Sequence, residues 1–90
     1  MTDEKTRRVI LELEQVRRSF ALQPSLSAKE ITDLMRRILH AGGEVVERSG
    51  VDPSEAIALH KEHAKETAAM VRAAYPSWRQ PPLGFRDIVP

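Results

Sequence analysis

Apolar residues recur along this chain at spacings of three and four, in three runs parted by short interruptions, and that period belongs to amphipathic helices. In the first run Val9, Ile10, Leu13, Val16 and Phe20 share one face of a helix predicted over residues 3–22. Pro24 lacks a backbone donor and restricts Gln23 before it, so "LQPSL" closes that helix. The second stripe reads Ile31, Leu34, Met35, Ile38, Leu39, Gly42, Val45 and Val46. It keeps its phase through "HAGGE", although two glycines cost about 2 kcal/mol of helix propensity against alanine. A separate helix beyond a break has no reason to resume on the same face. One helix is therefore predicted over residues 28–49, with any bend at Gly42-Gly43. The third stripe is Ala56, Ile57, His60, Ala64, Thr67, Ala68, Val71 and Tyr75. It predicts a helix over residues 53–75, stopped by Pro76.

The boundaries carry their own signals. Ser27 and Glu30 make an S-x-x-E capping box, with Leu26 and Ile31 placed to clamp the entry as a hydrophobic staple. Gly50 suits the left-handed position that ends a helix. Asp52 then acts as N-cap, Pro53 takes the first helical position, and Glu55 completes a D-x-x-E variant of the box. Connections this short force neighbouring helices to run antiparallel. The expected fold is all-α: a three-helix up-down-up bundle over residues 1–80 with an extended Pro/aromatic tail over 81–90. The alternative is a set of helical hairpins that complete their core by homodimerisation.

Composition narrows the chemistry. Ninety residues make one domain with a thin core. The absence of cysteine removes disulfides, thiol catalysis and Cys-based zinc or iron–sulfur sites. No apolar run approaches the ~20 residues of a membrane span, and the charged start "MTDEKTRRVI" lacks the apolar core of a signal peptide. A cytoplasmic protein with no membrane partner is expected, and ten arginines against four lysines point to bacterial coding. Fourteen basic residues face thirteen acidic ones, interleaved along the chain. A nucleic-acid binder would show a basic stripe, so interleaved charge counts against nucleic acid as a partner.

The most chemical-looking stretch is "HKEHAKE", residues 60–66. Two histidines three apart can share a metal ion, but di-metal bundles need Glu-x-x-His on two helices, and that motif is missing, as is H-E-x-x-H. No metal or other cofactor is expected. Folding the second helix onto the third about Val51 places Gly42 opposite His60. His60 is therefore expected to fill the space above Gly42 as a structural histidine. "VVERSGVDPSEAIAL" has the outline of a helix-turn-helix, but its turn is explained by ordinary capping, and Asp52 and Glu55 would meet the phosphates. No phosphate-cradling loop and no arranged triad is visible, so no enzyme is expected.

What remains is surface. Leu11 and Leu22 lie off the first stripe, and Leu59 and Met70 flank the third. The tail carries Trp78, Arg79, Leu83, Phe85 and Arg86, and tryptophan and arginine are enriched among interface hot spots. Tyr75 to Trp78 is expected to fold back onto the alanine-rich third helix, leaving the remainder for a partner. Trp78, Arg79, Leu83, Phe85, Arg86, Leu11 and Leu22 are the candidate partner-binding residues. The function expected is a small non-enzymatic protein that binds another protein or a second copy of itself, as accessory subunit, adaptor or inhibitor. A helix-turn-helix regulator is the alternative, and a metal-binding bundle the third reading.

Overall fold

The computed structural model describes residues 3–82, which form three helices and no strand. Helix α1 spans Glu4–Ser19, α2 Ala28–Ser49 and α3 Pro53–Ala74. Successive helices are antiparallel: Val9 early in α1 clusters with Val46 late in α2, Thr32 early in α2 bonds Trp78 beyond the end of α3, and Glu47 late in α2 bonds His60 early in α3. This is the up-down-up bundle, 40 × 23 × 20 Å. α2 lies in the middle and packs along both neighbours, whereas α1 and α3 touch sparingly.

Local chemistry sets the ends. Ser27 Oγ accepts from the Glu30 N–H (3.2 Å), and Glu30 Oε1 accepts from the Ser27 N–H (2.9 Å), so two otherwise orphaned donors are satisfied reciprocally. Gly50 closes α2 at φ 75°, a left-handed conformation that glycine adopts without Cβ strain. Asp52 Oδ1 then accepts from the N–H groups of Ser54 (2.9 Å) and Glu55 (3.2 Å), with Pro53 at the first helical position. α2 passes through Gly42-Gly43 without interruption, and both glycines are buried.

α1 stops three residues before the predicted Leu22. Phe20 is extended (φ −87°, ψ 129°), and Ser19 Oγ donates to the Val16 carbonyl (2.7 Å) at the last turn. Leaving the helix there lets Phe20, Leu22 and Leu26 lie over the end of the core. Burial also departs from the α1 stripe: Thr6, Val9 and Leu13 are buried, but Ile10 is 45% exposed. A helix that leans chiefly on one neighbour buries a narrower stripe than its apolar face offers. α2, covered from two sides, buries its predicted stripe with one exchange: Gly43 is buried and Val45 is only partly so.

Two apolar clusters result. The larger joins Ile31, Leu34, Met35, Ile38 and Leu39 of α2 to Ala64, Ala68 and Val71 of α3, and adds Tyr75 and Trp78. The smaller joins Val9 and Leu13 of α1 to Val46 and Leu59. Leu59, expected as a surplus surface leucine, is thus core, and Met70 packs against the larger cluster. Ile57, expected on the α3 stripe, is instead 54% exposed.

The first tail residues belong to the fold. The Tyr75 hydroxyl donates to the Gln23 carbonyl (2.6 Å), Trp78 Nε1 donates to Thr32 Oγ1 (3.2 Å), and Arg72 donates to Gln80 Oε1 (2.6 Å). These bonds tie the segment to the α1–α2 connection, to α2 and to α3. Trp78 supplies the volume that alanine-rich α3 lacks.

Candidate functional site

Between the two apolar clusters lies a polar layer built on a missing side chain. Gly42 has no Cβ, and a Cβ placed there would collide with the His63 imidazole. The residue facing Gly42 is therefore His63, not His60 as the sequence arithmetic had it. Side chains on a helix lean toward its N-terminus, so a residue covers surface above the turn that precedes it. His63 thus reaches the level that counting along the backbone assigned to His60.

The glycine also uncovers a carbonyl. In a helix the oxygen of residue 38 points toward the amide of residue 42, and a side chain at 42 would crowd its second lone pair. With none there, His63 Nε2 comes within 3.0 Å of the Ile38 oxygen. On the other edge of the ring, Arg17 Nη1 of α1 lies 2.9 Å from His63 Nδ1. A carbonyl only accepts and a guanidinium only donates. Together they fix the neutral tautomer with its proton on Nε2. Burial, the Arg17 charge and the charge His60 acquires when protonated push the His63 pKa below its ordinary value; the Ile38 bond opposes them.

His60 has a different role. It too is buried, and its Nε2 lies 3.1 Å from the Glu47 carboxylate on α2, which is half exposed. Its Nδ1 and the Thr67 hydroxyl are buried side-chain atoms without a hydrogen-bond partner. His60 is buried, but it contacts Glu47 of α2 and does not fill the space above Gly42 as expected. Among the described residues no group of three acidic or histidine side chains is arranged around a common metal position.

The candidate partner-binding residues do not form one patch. Leu11 is 60% exposed on α1, next to Ile10. Leu22 is half-buried against the larger cluster, and Trp78 at 8% exposure is a core residue rather than a contact surface. Arg79 is exposed and lines a hollow with Lys29, Asp33 and Pro81. Leu83, Phe85 and Arg86 lie outside the described residues. Ile10 and Ile57 were missed as surface because both fit the period of a buried stripe.

Two shallow grooves cross this surface. One, about 580 Å³, separates α1 from α3 and is lined by Glu14, Arg17, Arg18, Glu66, Ala69 and Met70. The other, also about 580 Å³, has Phe20, Leu26 and Leu34 at its base and Glu30, Asp33 and Arg37 around it. No helix among the described residues is long and apolar enough to cross a membrane. No protein-family profile matches this chain, and neither a curated protein nor a solved structure does.

Proposed function

We propose that this chain is a non-enzymatic helical module that binds another protein, with the outer face of α1 as part of the contact. The observation that carries this reading is the adjacent pair Ile10 and Leu11, 45% and 60% exposed, on the helix least held by its neighbours. Exposed apolar residues are common singly. A side-by-side aliphatic pair on a helix whose other face is buried is a surface that a second helix or a groove can cover. Arg7, Glu14 and Arg18 surround the pair with charge, as the polar rim of an interface does. The tail residues Leu83, Phe85 and Arg86 are the second element of the proposed contact, on composition alone.

The test is capture from the native host with four full-length baits: the natural sequence, Leu11→Glu, Ile57→Glu and a chain ending at Pro82. A partner kept by Ile57→Glu and lost by Leu11→Glu supports the α1 contact; loss with the shortened chain adds the tail. A partner indifferent to Leu11→Glu, or no reproducible partner, sinks the reading. Light scattering on the same proteins shows whether the partner is a second copy.

A further inference from the structure

We propose that the Arg17–His63 contact is an acid-sensitive latch: when His63 takes up a proton, α1 releases while the α2–α3 hairpin stays folded. The proposal is independent of which partner the protein binds.

The contact depends on one protonation state. Nδ1 must offer a lone pair to Arg17, because Nε2 already carries the proton given to the Ile38 carbonyl. A second proton on the ring sits on Nδ1 and points an N–H at an N–H. The bond is lost and an imidazolium faces a guanidinium in a site where His63 keeps 2% of its surface. The two like charges repel, and the buried His63 ring cannot turn to solvent without moving a helix. Arg17, half-buried at the α1–α3 groove, loses its tie between α1 and α3.

No acid on a neighbouring helix is bonded to the ring to absorb this charge. From α1, Arg17 meets His63 directly, and Glu14 and Arg18 pair with each other at 2.7 Å along the same groove. From α2 the ring meets the Ile38 carbonyl, while Glu47 is held by His60. On α3, His60 adds a second cation when protonated, and Glu66 stands at the groove beside Arg17. In the neutral state both ring nitrogens of His63 are taken by Arg17 and the Ile38 carbonyl, so neither Glu14 nor Glu66 is bonded to the ring.

α1 is the element that yields, because the two cores are divided unequally. Every buried member of the larger cluster comes from α2, α3 or the Tyr75–Trp78 segment. α1 contributes only Thr6, Val9 and Leu13 to the buried set. The hairpin therefore keeps its own core, its caps and the Trp78–Thr32 tie when α1 departs. Release bares Val9 and Leu13 on one side and Val46 and Leu59 on the other.

The experiment is amide hydrogen exchange on the full chain at about pH 7.5 and about pH 5, corrected for intrinsic exchange, with an NMR titration of each histidine side chain. Amides within residues 9–17 are expected to lose roughly tenfold or more of their protection at the lower pH, while 34–39 and 64–71 keep theirs. The loss should follow the His63 titration. His63→Gln, whose amide can donate and accept but cannot titrate, is expected to hold α1 at both pH values. Arg17→Met is expected to raise the His63 midpoint toward the ordinary imidazole value. Four outcomes would overturn the latch: His63 titrating without α1 opening, all helices opening together, opening that follows His40 or His60, or a His63 midpoint unmoved by Arg17→Met. Should His63→Gln fail to fold, the titration of the natural chain decides alone.

Discussion

The imidazole of His63 stands where a side chain on Gly42 would begin, and it bonds the carbonyl that the glycine leaves open. Gly42→Ala should therefore destabilise the protein, although alanine gains about 1 kcal/mol of helix propensity. Overpacking typically costs about 1–3 kcal/mol, and here the displaced ring also loses two hydrogen bonds. The same alanine placed in a His63→Ala background should cost far less, because the space it needs is then vacant. Urea denaturation of the two single variants and the double variant gives the coupling directly. Additive effects would mean that residues 42 and 63 do not share this space.

Trp78 and Tyr75 anchor the tail with unequal force. Trp78→Ala removes a buried indole and is expected to cost about 3–5 kcal/mol. Tyr75→Phe keeps the ring and loses the bond to Gln23, worth about 1 kcal/mol. Chemical denaturation followed by circular dichroism ranks them. Near-neutral Trp78→Ala would show that the segment is not part of the core.

Acid should weaken the fold in two stages. His63 is a base whose pKa is lower folded than unfolded, so the unfolded chain binds the proton first. Stability begins to fall as pH drops below about 6.5 and stops falling once the folded value is passed. Glu30 is held below the usual carboxylate range by bonds from the Ser27 backbone and hydroxyl, and Asp52 by the Ser54 hydroxyl and the Glu55 N–H. Their stabilisation is complete above the ordinary carboxylate pKa and disappears as pH falls through their lowered values. A stability–pH curve should lose its upper step in His63→Gln and part of its lower step in Glu30→Gln. An upper step that survives His63→Gln would assign it to another group.

Leu11 and Leu13 provide the contrast between surface and core on one helix. Leu13→Ala should cost about 2–4 kcal/mol, and Leu11→Glu should stay within about 0.5 kcal/mol of the natural protein. Thermal melts of both variants check the pair. A large loss in Leu11→Glu would remove it as a clean probe of partner binding.

Much of the architecture was legible because it is local. The Ser27–Glu30 box, Gly50 and the Asp52-Pro53 start each act within a few residues, so they read directly from the chain. The phase of the second stripe carried α2 across Gly42-Gly43 for the same reason: the period of a helix is a local property. The end of α1 was not legible, because Phe20 and Leu22 leave the helix to cover a core assembled from α2 and α3.

Sequence by itself determined three helices, the caps that start α2, end it and start α3, and an antiparallel order. Tertiary structure decided which edge of each apolar face is covered: Leu59 and His63 inside, Ile10 and Ile57 out. Periodicity fixes where side chains lie around a helix axis, but not how its neighbours tilt against it. It also decided which histidine meets Gly42, since that depends on how far a side chain leans back along its own helix. Only packing therefore brings Arg17, His63 and the Ile38 carbonyl together, from positions far apart in the chain, and makes the neutral imidazole part of what holds α1 in place.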